Sequence, residues 1–147
     1  AGAADPYAER IYTPEQTPEM IATADYVVAA APLTAETRGM IGEREFAAMK
    51  PSAVVINIGR GPVIDEAVMV RALVRRRIRG AVLDVFDTEP LPEGHPFYRL
   101  DNVLLSPHSA DHTADWLERA MQLFLDNFER FRKGLPLNNL VDKKLGY

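Results

Sequence analysis

Three polar segments of this chain each follow a short apolar run, and together they carry groups able to do acid–base chemistry. They are residues 57–61, 84–90 and 106–108, which supply Arg60, Glu89 and His108. In an open parallel sheet the carboxyl ends of the strands share one edge, and ligands bind along that edge. A guanidinium, a carboxylate and an imidazole at that edge indicate proton transfer on an acidic substrate.

Each of these side chains also has a simpler explanation. Arg60 lies between two glycines. It could hold a carboxylate by two parallel hydrogen bonds, or it could form an ion pair with an acid across its own loop. His108 follows Pro107 and suits proton transfer at neutral pH, or it is a hydrogen-bonded loop histidine. If Glu89 reached His108 it would favour the charged imidazole and fix its tautomer; otherwise it is a solvated loop acid.

Other polar residues at the predicted strand ends are open to two interpretations. Asp84 closes an apolar run and either accepts hydrogen bonds from a ligand amide or caps backbone donors of its own loop. Thr34 and Asn57 are either ligand contacts or turn formers.

The sequence offers little sign of a metal or nucleic-acid site. His108 and His112 are four residues apart, but Pro107 and the missing glutamate of an HExxH pattern argue against zinc, so we expect no metal. The basic cluster is most simply a solvated helix face and its last turn; it comprises Arg71, Arg75, Arg76, Arg77 and Arg79.

The length of the chain indicates one domain. Its composition and charge are those of a globular protein that neither spans a membrane nor binds nucleic acids in general. The chain has 147 residues, is 47% hydrophobic and carries a net charge of −4. That charge argues against general nucleic-acid binding. No cysteine is present, and no apolar run is long enough to span a membrane. We therefore expect a soluble cytoplasmic protein, with a plastid location as the alternative if a targeting segment has been removed.

Hydrophobic periodicity and breakers predict alternating strands and helices, and hence a parallel α/β sheet. The predicted strands cover residues 10–12, 26–31, 54–58, 81–84 and 103–105, and the strand at 26–31 reads as buried. The predicted helices cover residues 18–23 and 43–49, residue 65 or 66 to 77, and 113–133. The last helix carries one apolar stripe, expected to pack in the core or in an interface: Leu117, Met121, Phe124, Phe128 and Phe131.

Four motifs, in order, resemble the D-2-hydroxyacid dehydrogenases. Residues 32–39 (PLTAETRG) resemble PLTxxTxG, and residues 57–66 (NIGRGPVIDE) resemble NxxRG…(V/I)DE. Residues 84–92 (DVFDTEPLP) resemble DVFxxEPLP, and residues 106–113 resemble PHxxxxT. The likeness covers residues 20–147 and is nearest to the glyoxylate/hydroxypyruvate reductase and phosphoglycerate dehydrogenase branches.

The resemblance implies a role for each of these positions. Arg60 would hold the substrate carboxylate, His108 would be the acid–base, and Glu89 would orient and charge it. Substrates would be small 2-keto or 2-hydroxy acids, the cofactor NAD or NADP, and the assembly a homodimer. The residues implied to contact the cofactor are Pro32, Leu33, Thr34, Asn57, Ile58, Gly59 and Asp84.

The chain departs from the family pattern in what it lacks. It contains no GxGxxG turn to cradle a pyrophosphate and no preceding substrate domain. Residues 1–147 are therefore expected to be the C-terminal portion of a dinucleotide-binding domain, a partial Rossmann-like parallel sheet with flanking helices and a long C-terminal helix, lacking the first βαβ unit. After His108 the chain has Ala110 and Asp111 where many relatives have glycines.

Two classes of function follow from this pattern. The first is the catalytic part of an NAD(P)-dependent oxidoreductase, with little or no turnover expected from the isolated chain. The alternative is a non-catalytic interaction module that keeps the dehydrogenase fold. A generic α/β binding module would not require the Arg, Glu and His to meet.

Overall fold

The core of the molecule is one parallel sheet of four strands. The structure is a computed structural model and describes residues 6–144. The strands are β1 (Tyr26–Ala29), β2 (Val54–Asn57), β3 (Gly80–Leu83) and β4 (Val103–Leu105), in the order β1-β2-β3-β4. All neighbours run parallel, so the α/β prediction is confirmed. The carboxyl ends of all four strands consequently lie at one edge.

Helices cover one face of this sheet. They are α1 (Thr17–Thr23), α2 (Glu43–Ala48) and α3 (Glu66–Val74), and a fourth helix, α4 (Trp116–Arg132), follows the last strand. Apolar side chains of α1, α2 and α3 share one cluster with the inward side chains of the strands, including Ile21, Phe46, Leu73, Val55 and Leu83. Burial of these side chains is the main force holding the strand ends in register.

Strand β1 is half-buried, not buried on both faces as its apolar sequence predicted. Its residues alternate, with Val27 and Ala29 buried while Tyr26 is 64% and Val28 54% exposed. The physical reason is that the three helices among residues 6–144 that reach the core all approach from one side. Among residues 6–144 β1 is also an edge strand that pairs with β2 alone.

The C-terminal helix begins and ends close to its predicted limits, but it buries nothing. No residue of α4 is buried among those described, and Leu117, Phe124 and Phe131 are each more than 60% exposed. The stripe therefore does not pack in the core formed by residues 6–144, and packing in an interface stays a prediction. Trp116, at the start of the helix, stacks on His112 with ring centroids 5.2 Å apart.

Two other boundaries differ from expectation for local reasons. Residues 10–12 form no strand; Arg10 instead pairs with Glu19 and lies over the Tyr12 ring. Helix α3 stops at Val74 because the chain turns through a left-handed Arg76 (φ 52°). The turn lets the Arg77 guanidinium donate to the carbonyl oxygens of Ala47 and Met49 at the end of α2.

Within residues 6–144 no helix is long and apolar enough to cross a membrane.

Candidate active site

The three predicted polar segments meet at the carboxyl edge of the sheet. Residues 57–61 leave β2, residues 84–90 leave β3, and residues 106–108 leave β4. Adjacent parallel strands β2, β3 and β4 place these exits side by side. The sheet therefore positions the loops, and contacts within the loops fix the side chains.

The central contact in the site joins His108 to Glu89. The imidazole Nδ1 lies 2.6 Å from Glu89 Oε2, and the other carboxylate oxygen accepts the Phe86 amide at 2.9 Å. The hydrogen bond from His108 lowers the pKa of Glu89, and the Phe86 amide adds to that effect. An ionised Glu89 requires the proton to be on Nδ1, which leaves Nε2 as the atom that can exchange a proton with a ligand.

The backbone of His108 adopts an unusual conformation that Asp84 holds in place. His108 has φ 52°, in the left-handed region that most side chains avoid. On either side of it, Asp84 accepts hydrogen bonds from Ser106 Oγ (2.5 Å), Ser109 N (2.9 Å) and Ala110 N (2.9 Å). Asp84 is 3% exposed. It therefore acts as the loop cap that was one of its two sequence interpretations, and it fixes the direction of the imidazole.

Asp84 must be ionised to accept all three donors. Burial alone would raise its pKa, but the hydrogen bonds from Ser106, Ser109 and Ala110 outweigh burial and lower it. A carboxylate with a lowered pKa in the folded state stabilises the protein above its ordinary pKa. That contribution is lost as the pH falls through the lowered value.

Replacing Asp84 by asparagine is expected to reduce the free energy of unfolding by about 2 kcal/mol, because the new NH₂ group of this buried side chain opposes one of its three donors. Urea denaturation at neutral pH measures the difference, and repeating it at acid pH should shrink it. Asp101→Asn is the control, since Asp101 has a side chain 77% exposed and pairs only with Arg76 among the described residues. Equal losses in both variants would contradict the buried-cap explanation.

Arg60 presents a charged group at the same edge without using it in an ion pair. Its residue is exposed, and its Nη1 donates to the carbonyl oxygen of Gly59 at 2.7 Å. Among residues 6–144 it forms no salt bridge, so the alternative of pairing with a neighbouring acid is not what the structure shows. Its positive charge lowers the pKa of Glu89, which places the guanidinium within electrostatic reach of the acid–base pair.

The loops of Arg60 and Glu89 touch through their backbones. A Cβ atom on Gly61 would lie 2.0 Å from the carbonyl carbon of Phe86 and 2.6 Å from the Asp87 nitrogen. Only glycine allows this approach. Because Phe86 also donates to Glu89, the contact ties the position of Arg60 to that of the acid–base pair.

The residues predicted to contact a cofactor line the β1 and β2 ends of the edge. Asn57 is buried and closes its own turn, donating to the Arg60 carbonyl and accepting the Gly59 amide. Thr34 accepts the amides of Glu36 and Thr37, so it too is a turn former. Both act as turn formers here, and contact with a cofactor stays a prediction.

Four other residues predicted to contact the cofactor lie at the ends of β1 and β2 and differ in what they expose: Pro32, Leu33, Ile58 and Gly59. Ile58 is 46% exposed and offers an apolar surface at the edge. Gly59 passes so close to β1 that a Cβ would lie 2.9 Å from the Ala31 oxygen. The Pro32 carbonyl accepts the Thr37 hydroxyl at 2.6 Å, and Leu33 packs against the core.

A cavity of about 560 Å³ opens beside the acid–base pair, and Glu89 and His108 are part of its lining. The apolar part of the wall was not predicted and includes Phe86, Leu91, Tyr98 and Leu105. Two residues next to the loop that carries Glu89, Glu66 and His95, were also missed. Glu66 is an acid in the first turn of a helix, where such a charge is common, and His95 lies between Gly94 and Pro96 in a loop with no periodic pattern.

The minor alternatives find no support in the geometry. Among residues 6–144 no group of three His, Cys, Asp or Glu side chains converges as a metal site. In the basic cluster, Arg71 pairs with Glu43, Arg76 with Asp101, and Arg77 bonds to α2 carbonyls.

Open parallel sheets bind their ligands at the carboxyl ends of the strands, which is where this imidazole–carboxylate pair lies. The comparison with known families agrees: residues 3–110 match the model of the D-isomer specific 2-hydroxyacid dehydrogenase, NAD binding domain. This chain belongs to that family.

Individual relatives include enzymes named for small keto acids. The chain is 50% identical over 126 residues to glyoxylate/hydroxypyruvate reductase B of Pectobacterium carotovorum, covering 86% of this chain and 39% of the relative. It is 41% identical over 127 residues to the glyoxylate reductase of Thermococcus gammatolerans, covering 86% of this chain and 38% of the relative.

Solved structures give the same result for the fold. A D-isomer specific 2-hydroxyacid dehydrogenase from Xanthobacter autotrophicus, in complex with NADPH and MES, aligns with a TM-score of 0.83 and 41% identity over 90% of this chain and 54% of that one. An NADPH-dependent glyoxylate/hydroxypyruvate reductase from Sinorhizobium meliloti, in complex with NADP and sulfate, aligns at 0.84 and 31% over 95% of this chain and 47% of that one. The chain spans half or less of the curated relatives it matches.

Proposed function

We propose that this chain supplies the acid–base half of an NAD(P)-dependent reductase of small 2-keto acids, such as glyoxylate or hydroxypyruvate. The 2.6 Å contact between His108 and Glu89, at the carboxyl edge of the sheet, is the observation that carries the proposal. The names of the relatives support the choice of substrate class. We propose further that residues 1–147 are the C-terminal portion of the dinucleotide-binding domain.

The chemistry of the edge fits the nicotinamide end of the cofactor. Ile58 offers an exposed apolar surface, and Gly59 keeps its backbone free of any side chain. Pro32, Leu33, Thr34 and Asn57 would shape the neighbouring wall. Asp84 would reach the carboxamide only by sharing oxygens that already accept three protein donors.

In the reductive direction the bound cofactor supplies the hydride, and the protein side chains manage charge and proton. Arg60 would hold the substrate carboxylate by two parallel hydrogen bonds. His108, as imidazolium, would pass its Nε2 proton to the carbonyl oxygen. Glu89 would stabilise the imidazolium through Nδ1 and keep its orientation, and reprotonation from solvent would complete the cycle.

The proposal is tested by following the absorbance of NADH and NADPH with glyoxylate or hydroxypyruvate, in the longest polypeptide in which this chain occurs naturally. Keto-acid-dependent oxidation of either cofactor is the expected result. Little or none is expected from the 147 residues alone, since their sequence contains no GxGxxG turn. Absence of turnover in the longest polypeptide would overturn the proposal and leave a binding role.

Replacing Arg60 by glutamine is expected to reduce kcat/KM for the keto acid by about 10- to 100-fold, because one charge-assisted pair of hydrogen bonds is lost. Most of the loss should lie in KM. Steady-state kinetics measures it, with Arg75→Gln as the control because Arg75 forms no ion pair among the described residues. An unchanged KM in Arg60→Gln would remove Arg60 from the carboxylate site.

A further inference from the structure

Glu66 and His95 form a second carboxylate–imidazole contact, next to the loop that carries Glu89. We propose that these two residues are positioning residues that hold Glu89 against His108. This inference rests on the proposed role of the Glu89–His108 pair. Their hydrogen bonds and ion pair are with each other and with the amides of Asp87 and Phe97, not with Glu89 or His108, so they act through the loop that carries Glu89.

Glu66 connects helix α3 to that loop. It is the first residue of α3, but the capping of the helix is done by Asp65, whose carboxylate accepts the Val68 amide at 3.0 Å. The Glu66 carboxylate is therefore free for other contacts. Its Oε2 accepts the Asp87 amide at 3.2 Å, and its Oε1 lies 3.2 Å from His95 Nε2.

His95 is fixed from its other side. Its Nδ1 accepts the Phe97 amide at 3.3 Å, so Nε2 must carry the proton that faces Glu66. The ring also packs 4.6 Å from the ring of Phe97, which is 1% exposed. The side chains of His95 and Glu66 are only 17% and 19% exposed, so solvent does little to replace their contact. Glu66 is thus anchored to the core through His95.

Two consecutive amides then connect the two carboxylates. The Phe86 amide donates to Glu89 and the Asp87 amide donates to Glu66, so the peptide planes on both sides of the Phe86 Cα are held. Loss of the Asp87 contact frees the 86–87 peptide to turn, and the neighbouring N–H that Glu89 uses is then no longer fixed from that side. Gly61 packs on the same peptide, which prevents the loop from shifting sideways.

The Glu66 carboxylate lies close to other carboxylates, so it depends on the Asp87 amide and His95 to stabilise its negative charge. Desolvation raises the pKa of Asp87, and the nearby carboxylates of Glu66 and Asp65 raise it further, while Arg38 and His95 oppose the rise. Three acids therefore share a small region. The simplest competing explanation is that Glu66 only complements the helix dipole of α3, in which case its removal would change stability and nothing at Glu89.

The test is the titration of the Glu89 carboxylate, followed by carbon-13 NMR in protein labelled at glutamate side chains and assigned with Glu89→Gln. In Glu66→Gln a carboxamide offers one acceptor where two donors converge, so an N–H is left facing an NH₂ group. The pKa of Glu89 is expected to rise towards the ordinary value of a glutamate. Hydrogen exchange of the Phe86 amide is expected to accelerate by about tenfold or more.

The substitution His95→Asn is expected to keep the hydrogen bond with the Phe97 amide and to remove the contact with Glu66. The asparagine oxygen can still accept the Phe97 amide, since asparagine is a good cap, but no group remains to reach Glu66. The pKa of Glu89 should rise in this variant as well. Glu93→Gln is the matched control: it removes an exposed carboxylate from the same loop, with no contact to Glu66 or Glu89 among the described residues, and should leave Glu89 unchanged.

Thermal unfolding by circular dichroism shows whether each variant is folded. An unchanged Glu89 titration in folded Glu66→Gln and His95→Asn would overturn the proposal, and if Glu66→Gln fails to fold, His95→Asn alone decides. None of these measurements uses turnover. The coupling could therefore be present in a protein that reduces no keto acid, and failure of the functional proposal would be seen separately.

Discussion

Replacing His108 by asparagine is expected to lower kcat/KM for keto-acid reduction by about 10²- to 10⁴-fold, the usual contribution of a positioned acid–base group. This corresponds to about 3–5 kcal/mol of transition-state stabilisation. Asparagine tolerates the left-handed backbone that position 108 requires (φ 52°), so the substitution removes the proton-carrying ring with little change of the loop. Steady-state kinetics in the longest natural polypeptide measures the effect.

The neighbouring histidine provides the control. His112 has a side chain 55% exposed and stacks on Trp116, so His112→Asn should change kcat/KM by less than about twofold. A similar loss in both variants would mean that the loop, not the imidazole of His108, limits the reaction. Retention of more than a tenth of the activity in His108→Asn would rule out His108 as the acid–base.

The same variant makes a pH prediction for Glu89. In the native protein the pKa of Glu89 is lowered, first by the hydrogen bond with His108. The paired, ionised state is therefore complete above the ordinary pKa of glutamate and is lost as the pH falls through the lowered value. In His108→Asn the Glu89 pKa should return towards its ordinary value, so protonation of Glu89 begins at a higher pH.

Replacing Gly61 by alanine is expected to reduce the free energy of unfolding by about 3 kcal/mol or more, because its Cβ would lie 2.0 Å from the Phe86 carbonyl carbon. The atom it meets is backbone, which cannot move away by changing a rotamer. Relief requires the loops of Arg60 and Glu89 to separate. Urea denaturation followed by circular dichroism measures the loss.

Gly42→Ala is the matched substitution for this experiment. The nearest atom to a Cβ on Gly42 is the Gly39 oxygen at 3.5 Å, an ordinary contact, so a change below about 1 kcal/mol is expected. If Gly61→Ala were no more destabilising than Gly42→Ala, the two loops would not be packed as described.

The architecture of the sheet could be predicted from sequence because its signals are local. Apolar runs of three or four residues bounded by polar residues or glycine gave three of the strands nearly their observed limits: β2, β3 and β4. The partnership of Glu89 and His108 was only conditional at that level. That contact depends on which loops the sheet brings together, and the spacing of residues along the chain does not determine this.

What escaped prediction depends on contacts between distant segments. Glu66 looked like any acid in a first helical turn until its carboxylate was seen to accept the Asp87 amide. Strand β1 looked buried because all its residues are apolar, whereas in this chain only one face of it is covered. The surface on which the apolar stripe of α4 packs could not be predicted for the same reason, since periodicity predicts an amphipathic helix without specifying its partner.

The way Asp84 holds the loop after β4 has a consequence for how this site can diversify. Two of its three donors are the backbone amides of residues 109 and 110, and any amino acid except proline supplies such an amide. The side chains at these two positions can therefore be exchanged while the imidazole keeps its direction. A library randomised at positions 109 and 110 should retain folded members with many chemistries beside His108, whereas positions 84 and 106, which contribute side-chain atoms, should tolerate few replacements.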